Sequence, residues 1–168
     1  ELMSYHALRL ETVDGIAWLT LNRPQVLNAL NSQLLGDLFE AAIELEGDDN
    51  ARVVIVSGAG RAFSAGRDIG EIARNGARNV LQKSSGGYAF NRLAALPKPT
   101  IAAVHGPCFT GALELALACD IIIASEDATF GDTHARLGVI PGGGGTQRLP
   151  LRIGPHRAKQ LLFTGLPI

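Results

Sequence analysis

A single carboxylate stands inside an apolar helical stretch, Thr110 to Asp120, with the sequence TGALELALACD. The residues three and four positions from Glu114 are threonine, glycine, leucine and alanine, so no cation of the same helix pairs with it. Burial of an unpaired carboxylate raises its pKa and suits it to general acid–base work near neutral pH. A distant arginine partner or a solvent-exposed position is the alternative, and the pattern leaves it open.

A histidine supplies a second candidate for proton transfer. His134 lies in the segment Asp132-Thr133-His134, and an unperturbed imidazole titrates near pH 6.5. The segment could suggest a fragment of a metal site or of a catalytic triad, but two possible ligands this close together are a weak signal for a metal site. We therefore expect no metal, and we interpret His134 as a partner acid or base.

Two glycine-rich loops, Gly58–Gly66 and Gly106–Gly111, each lead into a predicted helix. Gly111 lies at a helix start, where free N–H groups and the helix dipole favour an anion, and the first loop offers N–H groups around Arg67. One donor from each loop would form an oxyanion hole if the loops converge. For either loop alone, a simple tight turn is the alternative.

Ser64 is a weaker candidate for nucleophilic catalysis. The segment AFSAG, residues 62–66, imitates the G-x-S-x-G nucleophile elbow, but its first glycine is an alanine. A serine hydrolase would also need His105 or His134 as its base. A dinucleotide loop at Gly142–Gly145 is excluded, because Gln147 stands where the third glycine belongs.

The elements that position these residues follow from hydrophobic patterning. His6–Thr12 and Ile16–Leu21 alternate and flank Asp14-Gly15, which predicts a hairpin. A helix is expected from Ser32, as its N-cap, to about Glu46. Shorter helices are expected over residues 68–74, up to residue 96, and over residues 155–163.

Three apolar runs, Val53–Val56, Thr100–Val104 and Ile121–Ala124, predict short strands, the first two buried on both faces. Alternation with helices indicates an α/β fold with parallel pairing, so both glycine loops should emerge at one end of the sheet. The polar segment Asn75–Gly87 is expected to be mobile, and Phe130–Gly145 irregular.

Bulk properties narrow the function classes. The chain has 168 residues and a net charge of −1, so no global field favours nucleic acid or an anionic membrane. It shows no apolar run of about 18 residues and no signal peptide, and we expect a cytoplasmic or matrix-like location. Cys108 and Cys119 are interpreted as reduced core residues. Charged residues make up only 18% of the sequence, against about 25% in typical soluble domains. This low fraction suggests surface that is buried by self-association.

Several ordered motifs coincide with one family. They are NRPQVLNAL (22–30), GRAFSAGRDI (60–69), KPTIAAVHG (98–106), TGALELALACD (110–120), FG (130–131) and LGVIPGGGGTQRLP (137–150). With these motifs the chain resembles the enoyl-CoA hydratase/isomerase (crotonase) superfamily from end to end. The resemblance implies a single core domain over residues 1–168 built as a spiral of ββα units, without the family's C-terminal helices. It also implies acyl-CoA ligands and trimers or dimers of trimers.

The same resemblance assigns roles by position. The oxyanion donors fall on the backbone N–H groups of Arg67 and Gly111, and Glu114 falls on one of two hydratase glutamates. Gly142 falls in the loop that closes over the attacking water. Coenzyme A arrives as part of the substrate, so no separate cofactor is expected. The implied CoA-contacting residues are Val26, Asn28, Ala62, Ser64, Ala65, Gly66, Arg67, Asp68 and Ile69.

One departure bears on the reaction: the position of the second hydratase glutamate carries His134. The main prediction is hydration of 2-trans-enoyl-CoA to 3-hydroxyacyl-CoA, with Glu114 as acid or base and with help from His134. Isomerisation of an enoyl-CoA, for which one base suffices, or another crotonase-type reaction is the alternative. A non-catalytic acyl-CoA-binding scaffold and a serine hydrolase that uses Ser64 are the remaining readings.

Overall fold

A computed structural model of the protein describes residues 5–76 and 86–168. Their strands, in chain order, are β1 (Leu8–Val13), β2 (Ile16–Leu21), β3 (Val53–Gly58), β4 (Thr100–Val104), β5 (Pro107–Phe109), β6 (Ile121–Ala124) and β7 (Thr129–Gly131). Their helices are α1 (Ser32–Gly47), α2 (Ile69–Asn75), α3 (Gly86–Ala94), α4 (Gly111–Ala118), α5 (Gly145–Ile153) and α6 (Pro155–Thr164). The mobility predicted for Asn75–Gly87 falls mainly on residues 77–85, outside the described residues.

The larger sheet has five strands in the order β1-β2-β3-β4-β6. β1 and β2 form an antiparallel hairpin, and every other neighbouring pair is parallel. Asp14 and Gly15 have φ angles of 53° and 84°, as a two-residue turn with two left-handed positions requires. The predicted hairpin and parallel α/β arrangement are confirmed.

The sheet buries one face only within the described chain. Ala17, Leu19, Val54 and Val56 are completely buried and belong to the hydrophobic core that also contains much of α1. Residues between them lie on the opposite face, where Trp18 is 42% exposed. The predictions that β3 and β4 are buried on both faces are therefore wrong, since Ile55, Ile101 and Ala103 on the other face are only half-buried.

The predicted strand Ile121–Ala124 is confirmed as β6. It lies at the edge of the sheet, and Ile121 and Ile123 are more than half exposed. The edge position leaves its outer side uncovered by the described residues.

Side chains accept from the first N–H groups of α1 and α2, whereas glycines precede α5 and α6. Asn31, rather than the predicted Ser32, caps α1 and accepts from the Leu34 N–H at 2.9 Å. Asp68 caps α2 in the same manner. Helix α6 begins at Pro155 as predicted, whereas α5 was not predicted, because glycines precede it and Pro150 lies inside it.

The helices α3, α4, α5 and α6 pack in succession, so α4 lies between α3 and α5. Every residue of α4 from Ala112 to Ala118 is buried, including Glu114. The described residues contain no helix with the length and hydropathy to cross a membrane.

Candidate active site

The two glycine loops converge, as the parallel sheet predicted. The Phe63 N–H donates to the His105 carbonyl at 2.8 Å, and the Ser64 N–H donates to the Pro107 carbonyl at 3.0 Å. A single bridge between Ser64 and Cys108 continues the pairing. Arg67, which follows the first loop, and Gly111, which ends the second, consequently line the same cavity.

At Gly66 the first loop lies directly against the second. Its φ is +94°, and a Cβ there would lie 2.0 Å from Oγ1 of Thr110 and 2.5 Å from the Phe109 carbonyl oxygen. Both the backbone conformation and the space therefore require glycine.

Thr110 introduces α4 with a strained backbone. Its φ of 49° and ψ of −116° are rare for a β-branched residue, and its N–H donates to the Gly131 carbonyl at 2.8 Å. Within the described ranges, neither the Arg67 N–H nor the Gly111 N–H has an acceptor. Two backbone donors thus remain available beside the cavity.

The cavity has a volume of about 780 Å³, within the range of small-molecule sites. Its walls are mainly apolar, with Glu114 and His134 among the few polar groups. The apolar side chains include Leu30, Leu35, Ile69, Ile72, Phe90 and Val139.

Glu114 is only 3% exposed and is held by backbone donors. Its Oε1 accepts from the Gly143 N–H at 2.7 Å and from the Gly145 N–H at 2.9 Å, at the start of α5. Burial raises the pKa of Glu114, although these two N–H groups and His134 act in the opposite direction. The alternatives of a distant arginine partner and an exposed side chain are therefore wrong.

His134 connects Glu114 to a second buried carboxylate. Its Nε2 lies 3.9 Å from Oε2 of Glu114, and its Nδ1 lies 2.7 Å from Oδ1 of Asp132. Burial lowers the pKa of His134, but the hydrogen bond and charge of Asp132 and the charge of Glu114 outweigh it, and the net shift is upward. Glu114 and His134 are thus two titratable groups that lie side by side on the cavity wall.

The small parallel sheet positions this pair. In the β5–β7 ladder, Cys108 lies opposite Phe130 and Phe109 lies opposite Gly131. The chain then continues from β5 into α4 and from β7 into Asp132–His134. Pairing of β5 with β7 therefore sets where Glu114 stands relative to His134.

Three of the predicted CoA-contacting residues, Asn28, Ala62 and Ser64, have no exposed surface. Asn28 Nδ2 donates to the Ala59 and Ala62 carbonyls, each at 2.8 Å, and its Oδ1 accepts from the Arg23 N–H. These residues hold the loop in shape and present no surface to a ligand.

The serine-nucleophile reading is contradicted. The Ser64 hydroxyl donates to the Asn28 carbonyl at 2.8 Å and accepts from the Gly66 N–H. Nε2 of the candidate base His105 lies 2.9 Å from the Gly60 carbonyl oxygen. Ser64 thus has no access to solvent, and among the described residues no hydrogen bond joins its hydroxyl to His105 or to His134.

Among the other predicted contacts, Val26, Ala65, Arg67 and Ile69 have exposed or half-buried surface, and Gly66 and Asp68 are buried. Asp68 pairs with Arg23 at 3.0 Å. Nη1 of Arg67 donates to the Leu30 carbonyl, and its Nη2 lies 3.4 Å from Oε2 of Glu71, an ion pair without hydrogen-bond geometry.

Sequence reasoning missed the direct partners of Glu114 and His134. Gly142, the predicted loop residue, lines the cavity, but Gly143 and Gly145 make the hydrogen bonds to Glu114. Asp132 had been weighed only as part of a metal or triad fragment. Over the described ranges, no three His, Cys, Asp or Glu side chains are grouped to hold a metal ion.

A buried acid–base pair beside free backbone donors defines a site for proton transfer on a ligand whose oxygen gains negative charge. The family model for enoyl-CoA hydratase/isomerase matches residues 11–168, and the chain belongs to this family. The resemblance drawn from the motifs and the mixed α/β, crotonase-type fold are confirmed.

Curated relatives and solved structures agree with this membership. The chain is 42% identical to the short-chain-enoyl-CoA hydratase of Clostridium acetobutylicum and 40% identical to the crotonyl-CoA hydratase of Syntrophomonas wolfei, with 96% of the chain and 63% of each relative covered. The crystal structure of enoyl-CoA hydratase from Bacillus anthracis superposes with a TM-score of 0.90 at 38% identity, over 97% of this chain and 64% of that one. The chain thus spans less than two thirds of the length of these relatives.

Proposed function

We propose that the chain carries the catalytic groups of an enoyl-CoA hydratase, which converts a 2-trans-enoyl-CoA and water into a 3-hydroxyacyl-CoA. The observation that carries this proposal is the 3.9 Å separation between Oε2 of Glu114 and Nε2 of His134 at the cavity wall. The hydratase names of the relatives from Clostridium acetobutylicum and Syntrophomonas wolfei support the same reaction class.

The free N–H groups of Arg67 and Gly111 would hold the thioester oxygen. Attack of water at the β-carbon moves the π electrons of the double bond toward this oxygen, which becomes an enolate. Backbone donors aimed at such an oxygen stabilise the transition state, and loss of one typically costs about 10²–10³ in rate.

The acid–base pair would handle the proton of the water and the proton of the α-carbon. A gap of 3.9 Å exceeds a direct hydrogen bond and suits two groups that contact one water between them. Hydration needs one group that accepts a proton and one that donates a proton. A pair that shares one exchangeable proton meets both needs.

Coenzyme A enters this proposal as part of the substrate, and no resident cofactor is required. The exposed surfaces of Val26 and Ile69 are the proposed contacts for the CoA portion. Self-association as a trimer or a dimer of trimers is part of the proposal and is supported by exposed apolar side chains such as Ile140, Leu151 and Phe163. The cytoplasmic location stays a prediction.

Isomerisation of an enoyl-CoA is a second candidate. Oε1 of Glu114 is occupied by two N–H groups, whereas Oε2 faces His134 at the cavity. One carboxylate oxygen that removes and returns a proton is sufficient to move a double bond.

The test uses purified full-length protein with crotonyl-CoA and follows the loss of conjugated enoyl absorbance. We expect Glu114→Gln to lower kcat by about 10²–10⁴, the usual contribution of a positioned acid or base. The exposed Glu126→Gln serves as the matched control. Hydration at the wild-type rate by Glu114→Gln would refute the assigned role.

His134→Ala separates the two candidate reactions. Loss of His134 should impair hydration more than isomerisation of a 3-enoyl-CoA. Equal losses of the two activities would count against a joint role of Glu114 and His134 in hydration. Calorimetric binding of an acyl-CoA without turnover of any enoyl-CoA tested would favour the scaffold reading.

A further inference from the structure

Asp132 is a buried carboxylate that the family pattern does not assign to the reaction. It follows β7 directly and is 1% exposed. Its Oδ1 accepts from Nδ1 of His134 at 2.7 Å and lies 3.3 Å from the His134 backbone N–H. Its Oδ2 is buried and has no hydrogen-bond partner among the described residues.

A buried carboxylate is costly unless a charge or a donor compensates it. In the described part of the chain, His134 is the only side chain that bonds to Asp132. A carboxylate can only accept, so the proton of the neutral imidazole resides on Nδ1. Nε2 then presents a lone pair toward Glu114 and the cavity.

We propose that Asp132 is a positioning residue that fixes the tautomer and direction of His134, so that Nε2 of His134 activates the water and Glu114 supplies the proton to the substrate. This assignment rests on the proposed hydration. The assignment gives His134 and Glu114 different tasks, because Asp132 bonds to His134 and not to Glu114.

In the proposed hydration, the water oxygen forms a bond to the β-carbon while its proton passes to Nε2 of His134. The π pair of the double bond moves into the enolate, whose oxygen lies at the two backbone N–H groups. Protonated Glu114 then donates its Oε2 proton to the α-carbon, and the thioester reforms. Transfer of the proton from Nε2 to Oε2, through the next water, restores the starting state.

Other charged groups near the pair do not compete for these roles. Arg148 reaches the loop from α5, where Nη1 donates to the Gly143 carbonyl at 2.8 Å and Nη2 donates to Asn91. Arg67 lines the cavity and is engaged with Leu30 and Glu71. The groups that bear directly on His134 are therefore Asp132 and Glu114.

The first test observes the ring itself, by ¹⁵N NMR of protein labelled at its four histidines. Disappearance of one set of signals in His134→Gln assigns the residue. In the wild type, at a pH where the ring is neutral, we expect the proton on Nδ1. A proton on Nε2 would overturn the proposal, and this measurement does not require any variant of Asp132 to fold.

The second test compares Asp132→Asn with the exposed control Asp49→Asn. We expect the pKa of His134 to fall in Asp132→Asn, because a charge that favours the imidazolium is lost. The acidic limb of the kcat–pH profile should move to lower pH, and kcat should fall about 10²- to 10⁴-fold with little change in KM. An unchanged titration of His134 in a folded Asp132→Asn protein would overturn the assignment.

The NMR readout is independent of turnover, so the two proposals can fail separately. If the wild type hydrates no enoyl-CoA, the proposed function and the proton route fail together, whatever the ring shows. If the wild type hydrates enoyl-CoA but the ring proton lies on Nε2, or the titration of His134 is unchanged in Asp132→Asn, only the positioning role fails.

Discussion

Gly143 is the glycine whose replacement should most directly disturb the acid–base pair. A Cβ at this position would lie 2.7 Å from Oε2 of Glu114 and 2.7 Å from Cδ2 of Phe90. Phe90 is 2% exposed and belongs to the core, so its ring has little room to move. Gly143→Ala should therefore displace mainly the carboxylate of Glu114.

The size of the effect follows from the geometry. Ordinary contact begins at 3.4 Å, so the carboxylate must move by about 0.7 Å. Such a shift strains the hydrogen bonds that Oε1 accepts at 2.7 and 2.9 Å. A misplacement of about 1 Å costs on the order of 10² in rate. We expect kcat to fall about 10- to 100-fold, or ~1.4–2.7 kcal/mol of transition-state stabilisation.

The neighbouring glycine provides the comparison. A Cβ on Gly142 meets no atom within 4 Å, so Gly142→Ala should cost much less activity than Gly143→Ala. Both variants are assayed for hydration of crotonyl-CoA, with thermal unfolding as a check, because overpacking at Gly143 should also cost about 1–3 kcal/mol of stability. Equal kcat values for the two variants, or a larger loss in Gly142→Ala, would refute the reasoning.

Two further predictions concern residues that hold the loop. Asn28→Ala removes three hydrogen bonds of a completely buried residue and should lower the free energy of unfolding by about 3 kcal/mol, measured in urea; unchanged stability with a raised KM would instead make Asn28 a ligand contact. Asp68 is desolvated, but the Glu71 N–H and Arg23 outweigh this, and its pKa is lowered. A lowered folded-state pKa adds stability above the unfolded pKa, and this stability is lost over the acidic range in which the pH falls from the unfolded to below the folded-state pKa. Unfolding of Asp68→Asn should therefore depend less on pH across this range, and an identical acid dependence would contradict the ion pair with Arg23.

Sequence alone located the main parts of the site because these parts are local. Glu114 and Gly111 lie on one short helix, and the N–H groups near Arg67 belong to a loop whose position follows from parallel pairing of β3 and β4. The convergence of the two loops was predictable for this reason, and the structure confirms it.

The partners of Glu114 were not predictable in the same way. Its hydrogen-bond donors, Gly143 and Gly145, lie 29 and 31 residues further along the chain. Their segment carries no periodic pattern, and four consecutive glycines do not indicate which N–H points inward. Asp132 was visible as a neighbour of His134, but only the buried geometry reveals that it bonds to the ring.

Burial was the weakest prediction for the sheet. Apolar runs such as Val53–Val56 indicate strands, yet they do not indicate how many faces other elements cover. Ser64 shows that a motif does not reveal exposure either, because the resemblance to a nucleophile elbow suggested an exposed hydroxyl. The hydroxyl instead bonds to the Asn28 carbonyl, in a loop where close packing leaves it no surface.

The three-residue ladder between β5 and β7 separates two properties of the protein. Most of the completely buried core belongs to the five-stranded sheet and the helices, whereas the distance from Glu114 to His134 depends on the small ladder. A slip of one residue in a strand moves the chain by about 3.3 Å, nearly the whole 3.9 Å between the two groups. An insertion or deletion at residues 129–131 can therefore abolish activity in a protein that still folds. Selection can therefore act on the reaction rate through the segments that form the small ladder, and on folding stability through the segments that form the five-stranded sheet and the helices.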